Sequence, residues 1–122
     1  MAVLRIVANL ATSDPQQLAA FYDRVFGLKT VMDHGWIATA AAESRMRTQL
    51  SFAAQGGSDT PVPALSIEVD DVAEAYRAVK QAGSEIVYTL TEEPWGVRRF
   101  FFRDPVGTLV NVLQHLAQLE SE

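Results

Sequence analysis

The sequence contains no cysteine, and this absence excludes several kinds of site together. Disulfides, thiolate nucleophiles and cysteine-ligated zinc all require a thiol. Histidine is almost as scarce, because the chain has only His34 and His115, which lie far apart in sequence. Neither has a partner at the spacing of a helical or hairpin metal motif, so we interpret both as surface residues. No serine stands in a nucleophile-elbow motif either.

Long apolar runs are also missing, since none approaches the roughly 20 residues that a membrane-spanning helix needs. The 122 residues include ten basic and fifteen acidic side chains, which gives a formal net charge of −5. An acidic balance disfavours nucleic acids and anionic membranes as partners and suits a cationic small molecule. Residues 1–10 are apolar but carry Arg5 and lead directly into a helix cap. We interpret them as a strand, not a signal peptide, and expect a cytoplasmic protein.

An internal repeat is the most informative feature that is present. Asp14 and Asp71 each precede an apolar stripe of helical spacing, with an offset of 57 residues (71 − 14). Ser13 is an alternative cap for the first helix, and Gly27 and Gly83 are placed to end the two helices. The two predicted stripes are Leu18, Phe21, Tyr22 and Val25, and Val72, Ala75, Tyr76 and Val79.

Segments of strand character complete each repeat, so each half is predicted to be β-α-β-β-β. The sequence therefore predicts an α+β fold whose two modules form curved, mostly antiparallel sheets around a cleft, with the helices outside. Module 1 covers residues 1–54, a Gly- and Pro-rich linker covers 55–63, module 2 covers 64–116, and 117–122 form a tail. Besides the first strand, the predicted strands are 29–33, 36–41, 48–53, 64–69, 85–90, 97–103 and 109–115.

Polar and apolar residues alternate along several of these strands, which indicates one face on the helices and one bordering solvent or a cleft. The polar positions are Gln49, Ser66, Glu68 and Asn111. If a cleft exists, Glu68 beside neutral amides suits a ligand with amine or amide donors. The alternative is a solvent-facing Glu68 paired with Arg98 or Arg99. The adjacent Glu92 and Glu93 are interpreted as solvated charges.

Several short motifs, in this order and at these spacings, resemble the glyoxalase/bleomycin resistance protein/dioxygenase (vicinal oxygen chelate) superfamily. They are Phe21-Tyr22, Gly27-Leu28, the IEVDD segment at 67–71 and the segment PWGVRRFFFRDPVG at 94–107. The resemblance covers nearly the whole chain. The EPWG segment at 93–96, followed by Arg-x-Phe and Arg-Asp-Pro, is most similar to the bleomycin-resistance members.

The resemblance also implies where a metal would be bound. Enzymes of this superfamily hold a divalent metal at four positions, which fall on Val7, Gln49, Ala64 and Asn111 here. Two of these are hydrocarbon, and the two neutral amides are poor ligands for zinc, iron or nickel. We therefore expect no metal, no cofactor and no catalytic residues. The alternatives are a metal-dependent lyase, isomerase or extradiol dioxygenase with ligands elsewhere, and a module that binds a metabolite.

In the resistance proteins that the chain resembles, a Pro-Trp-Gly tryptophan borders the drug cleft of a homodimer. The resemblance implies that role for Trp95, and hence sequestration of a cationic glycopeptide antibiotic of the bleomycin family. The expected ligand-binding residues are Trp95, Phe101, Arg99, Trp36, Gln49, Glu68 and Asn111. Phe100 and Phe102 would then point to the helices. The competing interpretations are an interface or core anchor for Trp95, and a packed strand start for Trp36.

Overall fold

The computed structural model describes residues 1–42 and 48–116. These residues form two helices and eight strands in the predicted β-α-β-β-β repeat, so the α+β fold is confirmed. Residues 43–47 and the predicted tail 117–122 lie outside the described residues. The elements are β1 (Val3–Ala11), α1 (Pro15–Phe26), β2 (Lys29–Asp33), β3 (Ile37–Ala42), β4 (Thr48–Ala53), β5 (Leu65–Val69), α2 (Val72–Gln81), β6 (Ile86–Glu93), β7 (Val97–Arg103) and β8 (Leu109–His115).

The chain divides into two compact units. One unit is Val7–Ala64, and the other combines Met1–Ile6 with the residues from Leu65 onward. Strand β1 therefore contributes its first residues to the second unit and its remainder to the first. Neither helix in the described part of the chain is long and apolar enough to cross a membrane.

The unit Val7–Ala64 packs α1 on strands in the order β2-β3-β4-β1, of which β4 and β1 are parallel. The side chain of Asp14 accepts a hydrogen bond from the backbone N–H of Gln17 at 3.1 Å, which makes Asp14 and not Ser13 the N-cap. The helix ends at Gly27, whose φ of 72° is the left-handed conformation that favours glycine.

The buried stripe of α1 differs from the predicted one. Leu18 and Tyr22 pack on the cluster that contains Phe52, as expected, but Phe21 and Val25 are 42% and 50% exposed. The stripe turned inward is centred on Ala19, which is 3% exposed. A small alanine at the closest point lets the helix approach the strands, and the helix therefore turns Phe21 and Val25 outward.

The second unit packs α2 on strands in the order β5-β8-β7-β6, of which β5 and β8 are parallel. Asp71 is the N-cap of α2, and its side chain accepts from the Glu74 N–H at 3.0 Å. The core on this side contains Val72, Ala75, Phe100, Val110 and Val112, with Ile67 and Phe102 packed against it. Two-residue periodicity places alternate residues of the same strands on the opposite face of the sheet.

Two neighbouring substitutions test the assignment of the first helix cap. Asp14→Ala is expected to lower the free energy of unfolding by about 1 kcal/mol, because the Gln17 N–H loses its acceptor. Ser13→Ala is the matched control and is expected to change it by less than about 0.5 kcal/mol. Urea denaturation measures both. A larger loss in the Ser13 variant would contradict the assignment.

Candidate functional site

The sheet of the second unit has a polar face on the side opposite α2. Ser66 stands opposite Asn111 in the β5–β8 pair, and Asn111 stands opposite Phe101 in the β8–β7 pair. Directly opposed residues share one face of a sheet, and the residues between them belong to the α2 core. We call this surface the polar face. Among its members are Ser66, Glu68, Tyr88, Glu93, Arg99, Phe101, Asn111, Leu113 and His115.

A buried ion pair lies at the β6–β7 end of the polar face. The Arg99 Nε donates to Glu93 Oε2 at 2.7 Å, and the Tyr88 hydroxyl donates to the same oxygen at 2.9 Å. Both charged side chains are 4% exposed or less. The Arg99 guanidinium also lies 4.9 Å from the ring centre of Trp95, 5.3 Å from that of Tyr88 and 4.8 Å from that of Phe101. The pair is thus enclosed by aromatic rings, where each charge depends on the other for compensation.

Glu93 is a functional candidate that the sequence analysis missed. The prediction that Glu92 and Glu93 are solvated is wrong for Glu93, which is 6% exposed, whereas Glu92 is exposed. Strand β6 extends to Glu93 and joins β7 through a tight turn in which Gly96 adopts a φ of 90°. This turn brings Arg99 back to Glu93. The sequence signal that could have indicated this ion pair is an acidic residue directly before a three-residue turn, with an arginine on the strand that follows the turn.

Glu68 forms a second charged group on this unit. Its Oε1 accepts from Arg5 Nε at 2.6 Å, and its Oε2 lies 3.0 Å from His115 Nδ1. The alternative interpretation, in which Glu68 pairs with Arg98 or Arg99, is therefore wrong. Arg99 is held by Glu93, and Arg98 alternates with it on β7 and so points to the α2 side.

The ionisation of Glu68 depends on these two partners. Partial burial raises the pKa of this carboxyl group, but the hydrogen bonds from His115 and Arg5 outweigh that effect, and the net pKa lies below the ordinary glutamate value. The carboxylate is thus charged at neutral pH. His115 is a surface residue, as the sequence indicated, because its side chain is 52% exposed, and it is also paired with Glu68.

Asn111 and Ser66 lie side by side in the middle of the polar face. The Asn111 Nδ2 donates to Ser66 Oγ at 3.1 Å, and Asn111 is 7% exposed. Its Oδ1 atom is buried and has no hydrogen-bond partner among the described residues. A buried polar atom left unpaired costs about 1–3 kcal/mol, so a native protein seldom retains one without a use.

The predicted ligand-binding residues fall in both units. Trp95, Phe101 and Arg99 lie together around the buried Arg99–Glu93 ion pair. Phe101 and Arg99 are 0% and 3% exposed. Trp36 and Gln49 belong to the unit Val7–Ala64. The Trp36 ring is half-buried immediately before β3 and is stacked on the exposed His34 ring with a centroid distance of 6.3 Å. Gln49 is half-buried on β4, opposite Ala41.

Comparison with known proteins identifies the family. The family model described as the glyoxalase/bleomycin resistance protein/dioxygenase superfamily matches residues 4–112. The chain belongs to this superfamily. No curated protein gives a match.

Solved structures with low sequence identity share the superfamily fold. A Vibrio splendidus 12B01 member of the superfamily is 17% identical, with a TM-score of 0.68 over 94% of this chain and 100% of that one. A Streptomyces coelicolor methylmalonyl-CoA epimerase is 15% identical, with a TM-score of 0.71 over 95% and 100%. A Legionella pneumophila structure described as an NAD-dependent benzaldehyde dehydrogenase is 17% identical, with a TM-score of 0.72 over 91% and 99%.

The four positions that the resemblance implies for a metal have side chains that do not fit a metal ion. Val7 is a buried hydrocarbon side chain and Ala64 is an exposed methyl group, so neither supplies a donor atom. Gln49 and Asn111 supply only neutral amide oxygens, which are weak ligands for transition metals. Within residues 1–42 and 48–116, no group of three or more His, Asp or Glu side chains is arranged to hold a metal.

The lowered pKa of Glu68 predicts a pH-dependent contribution to stability. Because the native pKa is below the ordinary value of 4.5, the contribution is present above pH 4.5 and is lost as pH falls through the native pKa. Glu68→Gln should therefore destabilise the protein by about 1 kcal/mol near neutral pH and by progressively less below pH 4.5. Urea denaturation across this range measures the difference.

The exposed Glu92 provides a matched control for this experiment. Glu92→Gln is expected to leave the free energy of unfolding nearly unchanged at each pH. A Glu68→Gln deficit that stays constant into acid would show that the carboxylate charge is not what stabilises this contact.

Proposed function

We propose that this chain binds a small molecule on the polar face without metal and without turnover, and that the molecule is a cationic glycopeptide antibiotic of the bleomycin family. The observation that carries the proposal is the fixed position of Trp95. This half-buried ring lies 4.9 Å from the Arg99 guanidinium, which is itself held at 2.7 Å by the buried Glu93. A ring fixed before binding loses little conformational entropy when a planar ligand stacks on it.

The burial of the neighbouring residues assigns them a supporting part in this proposal. Phe101 and Arg99 are 0% and 3% exposed, and in this proposal their main part is to support Trp95. Glu68 is 17% exposed and charged at neutral pH, and we assign it the attraction of the ligand's cationic portion. The net charge of −5 acts in the same direction over longer distances.

The chemistry of the metal positions favours binding over catalysis. The hydrocarbon side chains of Val7 and Ala64 offer no donor, and sequestration requires neither a metal nor a general base. Antibiotic resistance, a cytoplasmic location and a homodimer with one drug bound per chain are parts of the same proposal. They rest on the resemblance to bleomycin-resistance members.

Tryptophan fluorescence tests the role of Trp95 directly, because the chain contains only two tryptophans. Titration with metal-free and copper-loaded bleomycin should give saturable quenching at one drug per chain. Trp95→Phe should weaken binding by a few-fold, since the smaller phenyl ring retains only part of the aromatic stacking contact.

The two single-tryptophan variants are matched controls for each other. Trp36→Phe retains Trp95 as the only reporter and should retain the quenching. The proposal is wrong if neither form of bleomycin changes the emission of the wild-type protein in the titration and calorimetry detects no binding. If the full quenching is retained in Trp95→Phe, the drug binds away from Trp95.

The competing function is that of a metal-dependent enzyme of the superfamily. We retain it as an alternative because the chain is similar in fold to methylmalonyl-CoA epimerases. Elemental analysis of protein purified without chelators separates the two functions. We expect less than about one-tenth of an equivalent of zinc, iron, nickel, cobalt or manganese per chain, because the donor set is too weak to retain them. A stoichiometric metal would favour the enzyme. The absence of both metal and bleomycin binding would favour a module for an endogenous metabolite.

A further inference from the structure

The orphan oxygen of Asn111 indicates what part of a ligand this face recognises. Asn111 Oδ1 is the buried side-chain acceptor that the described residues leave without a hydrogen-bond donor. The amide is not free to turn this oxygen towards water, because its Nδ2 is bonded to Ser66 Oγ at 3.1 Å and the residue is 7% exposed. An acceptor fixed in orientation and removed from solvent requires a donor from outside the chain.

The neighbours of Asn111 decide the charge of that donor. Asn111 lies in register with Ser66 on one side and with Phe101 on the other, so a hydroxyl group and an aromatic ring flank it. Neither neighbour carries charge. A cation brought here would lose hydration and gain only one neutral carbonyl oxygen, whereas a neutral N–H or O–H would exchange one hydrogen bond for another.

The carboxylates of the polar face do not change this preference of Asn111 Oδ1 for a neutral donor over a cation. Glu93 is compensated by Arg99 at 2.7 Å, and Glu68 is compensated by Arg5 at 2.6 Å with His115 on its other oxygen. A ligand cation at Asn111 would therefore meet ion pairs already formed. Glu68 stands opposite Leu113, two positions along both strands from the Ser66–Asn111 pair, so its remaining attraction acts at a different place on the face.

We propose that Asn111 Oδ1 is a ligand-binding acceptor specific for an uncharged donor, an amide N–H or a hydroxyl group. A glycopeptide offers both kinds of donor in its peptide and sugar parts. The inference rests on the proposed function only for the identity of the whole ligand. Asn111 is thus the specificity-determining residue of the face, and Ser66 is a positioning residue that orients its amide.

Titration with two small probes, followed by nuclear magnetic resonance of the ¹⁵N-labelled full-length protein, tests this inference. Acetamide carries the neutral donor, and the smaller methylammonium ion carries a cationic one. Acetamide should shift the Asn111 side-chain amide signals and the backbone amides of Ser66 and Phe101 saturably. The Gln114 side-chain amide, whose Oε1 already accepts from the Val72 N–H at 3.0 Å, is the internal control and should not move.

Two variants separate the role of Asn111 in binding the donor from the role of Ser66 in orienting the Asn111 amide. Asn111→Leu removes the acceptor at similar volume and should weaken acetamide binding at least tenfold, as read from the backbone amides of Ser66 and Phe101. Ser66→Ala retains the acceptor but releases the amide, and should weaken binding by a few-fold only. Dispersed backbone spectra in both variants confirm that they are folded, and Ser66→Ala still tests the inference if Asn111→Leu does not fold.

The outcomes distinguish this inference from the proposed function. If acetamide binds and bleomycin gives no response, the proposal that bleomycin is the ligand is wrong and the role of Asn111 Oδ1 as acceptor is supported. If bleomycin binds and acetamide gives no response at Asn111, the role of Asn111 Oδ1 is wrong and bleomycin remains the proposed ligand. Equal saturation by methylammonium would overturn the preference for a neutral donor. A bound water exchanging slowly at Oδ1, detected by water–amide cross-relaxation and unaffected by acetamide, would also overturn the inference.

Discussion

The buried pair of Arg99 and Glu93 is the interaction on which the polar face depends. Two opposite charges at 2.7 Å, each at most 4% exposed, are tolerated in a sheet only because each cancels the other and because Tyr88 supplies a further hydrogen bond. The same pair fixes the geometry around it. Since Arg99 lies close to the rings of Trp95 and Phe101, the tryptophan of the turn is in contact with strand β7.

Strand alternation lets one sheet serve two incompatible environments. Phe100 and Val112 build the apolar core with α2, and the residues between them build a face rich in polar groups. A one-residue change of register would exchange these two sets, so the hydrophobic core also fixes the position of every polar group on the other side. Core packing and the placement of the polar groups are thus not independent properties of β7 and β8.

Local patterns predicted the fold well because its determinants lie close together in sequence. Caps such as Asp71, the left-handed Gly27 and the two-residue period of β7 each act over a few residues. The candidate site was less predictable because its contacts join distant elements. Nothing in the sequence near Glu68 indicates that its partners are Arg5 and His115, which are 63 and 47 residues away. Glu93 was missed because adjacent glutamates suggest solvated charge, and only the turn that returns Arg99 to it makes burial possible.

Because the superfamily includes metal-dependent enzymes, the question is whether the charged groups of this chain are available as metal ligands. A metal site needs donors that remain available to the ion, whereas the charged groups here are committed to one another. Arg99 is bound to Glu93, and Arg5 and His115 are bound to Glu68. These groups already point at partners within the chain. This arrangement agrees with our proposal that the face recognises a ligand of fixed shape through a neutral donor. One of the four positions that the resemblance implies for a metal holds Asn111, an amide whose unpartnered oxygen can still accept a hydrogen bond but contributes no charge.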